Sequence, residues 1–96
     1  MNLDTFMASL AAAQPPEGSS VFLQSLWYDK KGDWKKAHDL VDSLPGREAA
    51  RVHAYLHRVE GDEWNAGYWY DRAAEKKPAL TLEEEWQQLV GRFLNV

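Results

Sequence analysis

Apolar residues recur at intervals of three and four along most of the chain, which is the period of an amphipathic α-helix. This pattern predicts six helices and no strand, and hence an all-α fold. The apolar faces of five of them comprise Leu3, Phe6, Met7 and Leu10; Trp34, Ala37, Val41 and Leu44; Ala49, Val52, Leu56 and Val59; Ala66, Trp69, Tyr70 and Ala73; and Leu82, Trp86, Leu89, Val90 and Phe93. The other helix, second in order, is expected between Ser20 and Lys31.

Proline and glycine separate these helices, because proline lacks an amide donor and glycine permits tight turns. Pro15-Pro16, Gly32, Pro45-Gly46, Gly61 and Pro78 mark the breaks. The predicted organisation is one domain with an N-terminal helix at 1–14, a first hairpin at 20–44, a second hairpin at 47–78 and a C-terminal capping helix at 81–96. Ser19 or Ser20 is expected to cap the second helix, and Thr81 with Glu84 to form a capping box on the sixth.

The two hairpins repeat each other. A shift of 29 residues superposes Gly32-Asp33 on Gly61-Asp62 and Ala37 on Ala66. A repeat of this kind predicts two helix–turn–helix units that stack against each other, with the terminal helices covering them.

The repeated units resemble a known family. Ala54, Gly61, Ala66, Tyr70, Ala73 and Pro78 resemble the small, aromatic and proline positions of a tetratricopeptide repeat, and the segment 69–75 is similar to the end of a Sel1-like repeat. Ser25 and Tyr28 occupy the small and aromatic positions of the first unit. The resemblance implies stacked helical hairpins, whose first helices usually line a concave surface that binds a protein or peptide.

A second resemblance concerns the segment 53–58 together with Tyr68-Trp69-Tyr70. These stretches look similar to a group of small bacterial proteins without an assigned role. That similarity implies a bacterial cytosolic protein and says nothing about chemistry.

Composition excludes several classes of function. The chain of 96 residues has no cysteine, which excludes disulfides, thiol nucleophiles and thiolate metal sites. Its formal net charge of −4 provides no basic field for nucleic acid or an anionic membrane, so neither partner is expected. No apolar run is long enough to cross a bilayer, and the start lacks the basic residues of a signal peptide. We therefore expect a cytoplasmic protein.

Two groups of residues on the second hairpin suggest a binding surface. Arg51, Tyr55 and Arg58 share a face of the fourth helix, where two guanidiniums flanking a phenol could hold an acidic peptide, or could simply be solvated. Trp64 and Tyr68 lie opposite the apolar stripe of the fifth helix. Either the sixth helix covers them, which we expect from the stacking, or they are open to a ligand.

The histidines suggest an alternative. His53, His57 and Glu60 project along one side of the fourth helix, a spacing that could hold a metal ion or could serve only to hydrogen-bond neighbouring helices. His38 is expected to point into the packing of the third helix and to bond a backbone carbonyl, unless it reaches His53 or His57 as a further ligand.

Catalytic motifs are lacking, so no catalytic residue and no cofactor are predicted. Glu83, Glu84 and Glu85 are expected to form a solvated first turn of the sixth helix. The function predicted from sequence is a small non-catalytic adaptor for a protein or peptide. The alternative is a metal- or small-molecule-binding protein, possibly an enzyme, that uses the histidine group. A homodimer through the first two helices is also predicted, since the first helix carries only a modest apolar stripe.

Overall fold

The structure, a computed structural model, describes residues 1–95 of the chain. Within that range it contains six α-helices and no strand, which confirms the all-α prediction. Residue 96, the last of the predicted C-terminal helix, lies outside the described residues. The helices are α1 (Leu3–Ala8), α2 (Val21–Lys30), α3 (Trp34–Val41), α4 (Arg47–Val59), α5 (Glu63–Arg72) and α6 (Leu82–Leu94), with one 3₁₀ turn at Ser9–Ala11. No helix in this range has the length and apolar content needed to cross a membrane.

Short polar side chains begin five of the six helices. Each accepts a hydrogen bond from the backbone N–H three residues further on, which satisfies an amide that has no partner within the helix. These capping residues are Asn2, Ser20, Asp33, Asp62 and Thr81. On α6 the predicted capping box is complete, because Glu84 also accepts from the Thr81 N–H at 2.9 Å.

The two predicted turns are equivalent in backbone geometry. Gly32 and Gly61 have φ of +89° and +83°, the left-handed region that favours glycine. In both turns the following aspartate donates its N–H to the carbonyl five residues earlier at 2.9 Å, and its side chain then caps the next helix at 3.1 Å. Asp33 and Asp62 therefore start α3 and α5 in the same way.

The end of α5 differs from the prediction. The sequence predicts the break at Pro78, but the helix already ends at Arg72, because Ala74 adopts a φ of +58° and turns the chain. Glu75 then donates its N–H to the Tyr70 carbonyl at 3.1 Å. The early turn brings the Glu75 side chain back toward α4, where it accepts a hydrogen bond from Arg51 at 3.1 Å.

The core lies where α2, α3, α4 and α6 meet. α6 packs against α2 and α4, and α1 packs against α6. Trp86 of α6 is enclosed and donates its indole N–H to the Leu26 carbonyl at 2.8 Å. The other large buried apolar side chains of this core include Phe6, Leu23, Leu26, Trp27, Leu56, Leu89 and Phe93. The sixth helix thus covers α2 and α4.

The N-terminal helix is held on this core. Phe6 is completely buried, and its ring centroid lies 6.1 Å from that of Trp86. Trp27 donates its indole N–H to the Ser9 hydroxyl at 3.1 Å, and the Lys31 ammonium donates to two carbonyls of the following turn. A homodimer stays a prediction, but Phe6 belongs to the interior of one chain and is not a surface residue through which two chains would meet.

We predict that Gly32→Ala and Gly61→Ala each lower the free energy of unfolding by about 1 kcal/mol, because an L side chain is strained at this φ. A Cβ at either position would meet nothing within 4 Å, so the backbone alone causes the loss. Gly91→Ala, in the helical interior of α6 and equally open, is the matched control and should stabilise by up to about 1 kcal/mol. Urea denaturation measures all three. Equal effects at positions 32 and 91 would contradict the argument.

Candidate functional site

The three histidines of the chain converge on one point. His38 comes from α3, whereas His53 and His57 come from adjacent turns of α4. One ring nitrogen of each lies within 4.8 Å of one from each of the other two, and the Nε2 atoms of His38 and His53 share a hydrogen bond of 2.9 Å. We call these residues the histidine cluster. The predicted bond from His38 to a backbone carbonyl is wrong, because the ring bonds His53 instead.

Tryptophan rings hold the cluster from two sides. Trp34 of α3 stacks on His38 with ring centroids 4.8 Å apart, and its indole N–H donates to the Leu56 carbonyl of α4 at 2.7 Å. Trp69 of α5 stacks on His53 at 4.0 Å. Helices α3 and α5 therefore each contribute a tryptophan ring that fixes the orientation of one imidazole.

His53 is the innermost member of the cluster, with only 4% of its surface exposed. Burial, and secondarily the neighbouring His38 and His57, lower its pKa from 6.5 to about 4. His53 is therefore a neutral imidazole at physiological pH, with a nitrogen lone pair available as an acceptor or a metal ligand.

Carboxylates surround the cluster. The Nδ1 atom of His57 lies 2.6 Å from Oε1 of Glu60, three residues along the chain. If Nδ1 carries the proton in this hydrogen bond, Nε2 keeps its lone pair. Oxygens of Asp39 and Asp42 lie 3.9 and 3.8 Å from Nδ1 of His38. A carboxylate on the far nitrogen of an imidazole is the usual outer partner of a metal-binding histidine.

This arrangement suits a divalent transition-metal ion. Three imidazole nitrogens form one of the donor sets used for zinc, copper, nickel and iron. With Zn–N distances of about 2.0 Å, tetrahedral ligand nitrogens lie about 3.3 Å apart. The His38 and His53 nitrogens lie 2.9 Å apart, and every pair in the cluster lies within 4.8 Å, so an ion would have to draw His57 and its neighbours to this spacing. Of the four residues predicted for a metal site, the structure thus brings the three histidines together and places Glu60 behind His57.

The predicted arginine face on α4 is not an accessible surface. Arg51 is 1% exposed, and its guanidinium contacts Glu75 at 3.1 Å and Glu85 at 2.8 Å. Arg58 donates to the other oxygen of Glu85 and to the Leu80 carbonyl, both at 2.6 Å. The two guanidiniums do hold a carboxylate, as their spacing suggests, but it belongs to α6 of the same chain.

Glu85 itself is fully buried, so the prediction of a solvated first turn is wrong for this residue. Its Oε2 atom, which contacts Arg51, also accepts a hydrogen bond from the Tyr70 hydroxyl at 2.6 Å. One sequence signal marks it: Glu85 lies three residues after Leu82 and four before Leu89, and so on the apolar face of α6. Glu83 and Glu84 lie off that face and are exposed.

Tyr55 is also internal. It is buried, and its hydroxyl donates to Oδ2 of Asp29 on α2 at 3.0 Å. Burial raises the pKa of the Tyr55 phenol. Burial also raises the pKa of the Asp29 carboxyl, and the hydrogen bond from Tyr55 offsets only part of this increase. This pair links α2 to α4, and Tyr55 is not part of an open ligand surface.

Trp64 and Tyr68 are open, contrary to the expectation that α6 covers them. Trp64 is 78% exposed and Tyr68 is 44% exposed. The reason is the placement of α6, which packs against α2 and α4 and leaves the outer side of α5 to solvent. These two residues are the predicted ligand-binding positions that the fold leaves accessible.

Comparison with protein-family models, with curated proteins and with solved structures found no match. The resemblance to tetratricopeptide and Sel1-like repeats therefore stays a prediction. Function has to be argued from the histidine cluster and from the exposed face of α5.

We predict that Glu85→Gln lowers the free energy of unfolding by about 3 kcal/mol or more, because it removes the carboxylate partner of Arg58 and leaves the buried Arg51 with Glu75 alone. Glu83→Gln is the matched control. Glu83 lies two residues before Glu85 and pairs with Lys30 at the surface. Its substitution should lower the free energy of unfolding by less than about 1 kcal/mol. Urea denaturation of both variants gives the comparison, and equal losses would show that the buried pairing does not stabilise the fold.

We also predict that the metal-free protein loses stability as the pH falls from about 6.5 toward 4. The pKa of His53 is lowered to about 4 in the folded state, so in this range the unfolded chain binds a proton that the folded chain does not. Urea denaturation in EDTA between pH 7 and 5 measures the slope. His53→Asn should flatten it, whereas an unchanged slope would show that His53 is not the group responsible.

Proposed function

We propose that this protein binds a divalent transition-metal ion, and Zn²⁺ in particular, through His38, His53 and His57. The convergence of the three imidazoles carries the proposal: every histidine in the chain has a ring nitrogen within 4.8 Å of the other two. The cluster joins α3 to α4, and all three histidines of the chain belong to it. Neutral imidazole is among the commonest metal ligands in proteins.

The surroundings of the cluster support the same proposal. Glu60 engages Nδ1 of His57 at 2.6 Å, and the stacked rings of Trp34 and Trp69 restrict the rotation of His38 and His53. Ligands held in this way lose little conformational entropy on binding an ion. Three protein nitrogens would leave one coordination position for water or a small ligand, and His38, with 21% of its side chain exposed, is the most accessible member of the cluster.

A peptide-binding adaptor, the function predicted from the helical hairpins, is the second candidate. The exposure of Trp64 and Tyr68 on α5 favours it, since aromatic side chains are the residues that most often dominate binding at protein interfaces. The two functions use different side chains and do not exclude each other.

The test of metal binding is a titration of protein purified without a histidine tag. Calorimetry with Zn²⁺ should give one ion per chain with a micromolar or tighter Kd, and Co²⁺ should give the visible absorption of a four-coordinate site. Glu60→Gln should weaken Zn²⁺ binding about 10- to 100-fold by loosening His57, and His57→Asn should weaken it further. Asp4→Asn, an exposed carboxylate on α1, is the control for nonspecific binding.

Folding of the variants is checked by circular dichroism, and a measurement on the unmodified chain makes the result independent of them. In histidine-selective ¹⁵N spectra, Zn²⁺ should shift ring nitrogens of all three residues together. Failure of Zn²⁺ and Co²⁺ to bind at micromolar concentration, or binding that His57→Asn leaves unchanged, would overturn the proposal.

A further inference from the structure

The outer side of α5 carries an exposed aromatic pair. Among residues 1–95, Trp64 is the most exposed of the large apolar side chains, at 78%. Its ring lies nearly parallel to that of Tyr68, with an angle of 11° and centroids 6.2 Å apart. Exposing an indole to water costs hydrophobic free energy and contributes nothing to the core. Exposed aromatic pairs of this kind are typical binding determinants.

An acidic row runs beside the aromatic one. Glu63, Gly67 and Asp71 are spaced by four residues and so lie along one line of the helix, next to the line of Trp64 and Tyr68. The five residues line a shallow depression of about 430 Å³, and Gly67 leaves its middle free of any side chain. We call these five residues the α5 aromatic face.

Its chemistry selects a cation. The faces of indole and phenol rings attract positive charge, and the two carboxylates add to this field and repel anions. The chain itself shows the preference: the Arg72 guanidinium lies 5.7 Å from the centroid of the Tyr68 ring, and the Lys77 ammonium pairs with Glu63 at 2.9 Å. Both of these cations are at exposed positions, where such contacts exchange readily with solvent.

Among cations, a guanidinium fits this face best. It is planar, so it can stack on the Trp64 ring, and its paired N–H groups match a carboxylate such as Asp71. An ammonium is more strongly hydrated, and it offers neither a plane to stack on the ring nor paired N–H groups in a fixed geometry for a carboxylate. The depression is too shallow to enclose a free small molecule, but an extended peptide lying along the helix would place its side chains on it.

We propose that the α5 aromatic face binds arginine side chains of a basic peptide segment in a partner protein. This inference goes beyond metal binding and uses none of the residues of the histidine cluster. It also reverses the partner expected from sequence: the arginines that suggested an acidic peptide are neutralised inside the fold, and the accessible site is acidic and aromatic. The net charge of −4 favours the approach of a basic partner.

The test uses two capped pentapeptides, Gly-Arg-Gly-Arg-Gly and the same peptide with citrulline in place of arginine. Citrulline keeps the shape of arginine but carries no charge. Binding is followed by ¹H–¹⁵N spectra, in which Trp64→Phe identifies the indole signal of Trp64. The arginine peptide should shift this signal and the α5 amides saturably, at least about 10-fold more tightly than the citrulline peptide. Raising the NaCl concentration to 0.5 M should weaken the binding of the arginine peptide.

The variants separate the aromatic and acidic parts. Trp64→Ala should weaken binding of the arginine peptide about 10-fold and Asp71→Asn about threefold. Leu44→Ala and Asp4→Asn remove an exposed apolar side chain and an exposed carboxylate elsewhere, and both should bind as the unmodified chain does. Because Trp64 and Asp71 are exposed, these variants should fold, which circular dichroism verifies.

Several outcomes would overturn the proposal. They are equal shifts with the citrulline peptide, no shift at millimolar arginine peptide, an unchanged affinity in Trp64→Ala, or tighter binding of Gly-Glu-Gly-Glu-Gly. The titrations are run in EDTA and again with equimolar Zn²⁺. Peptide binding in EDTA would support this site even if the histidine cluster binds no metal, so the two proposals can fail separately.

Discussion

The buried carboxylate of Glu85 is the interaction on which the rest of the structure depends. It has no exposed surface and contacts the guanidiniums of Arg51 and Arg58 on α4 as well as the Tyr70 hydroxyl of α5. A charge in this position is tolerated only because opposite charges and a donor surround it, so α4, α5 and α6 are held in one relative arrangement. Arg51 and Arg58 point to one side of α4. The opposite side, with His53 and His57, is thereby turned toward α3 and α5.

Aromatic rings connect the two proposed sites. Trp34 stacks on His38, His38 meets His53 edge to face, and His53 stacks on Trp69. Beyond it the ring of Tyr68 packs edge to face on Trp69 at 5.1 Å and lies parallel to Trp64. The histidine cluster and the α5 aromatic face are thus opposite ends of one continuous row of rings, with Trp69 between them. This row uses four of the twelve Phe, Trp and Tyr residues of the chain, namely Trp34, Trp64, Tyr68 and Trp69.

Local features were predictable because they depend on neighbouring residues alone. The capping residues Ser20 and Thr81 and the left-handed turns at Gly32 and Gly61 follow from hydrogen bonds and backbone sterics within a few residues. The end of α5 was predicted too late in the chain. Alanine rarely adopts a positive φ, so the sequence around Ala74 does not indicate a turn there. The burial of Glu85 was missed because three consecutive glutamates at a helix start are usually solvated, although its register on α6 indicated the core.

The sequence by itself determined that the chain is all-helical, that two hairpins repeat, and that His53, His57 and Glu60 lie on one side of a single helix. Only the tertiary structure decided that His38 joins them, because it lies 15 residues from His53 and on another helix, so the crossing of α3 and α4 sets the distance. The tertiary structure also decided that Arg51 and Arg58 are covered and that Trp64 is exposed. Their exposure depends on where α6 packs, and an amphipathic helix can satisfy its apolar face on more than one neighbour.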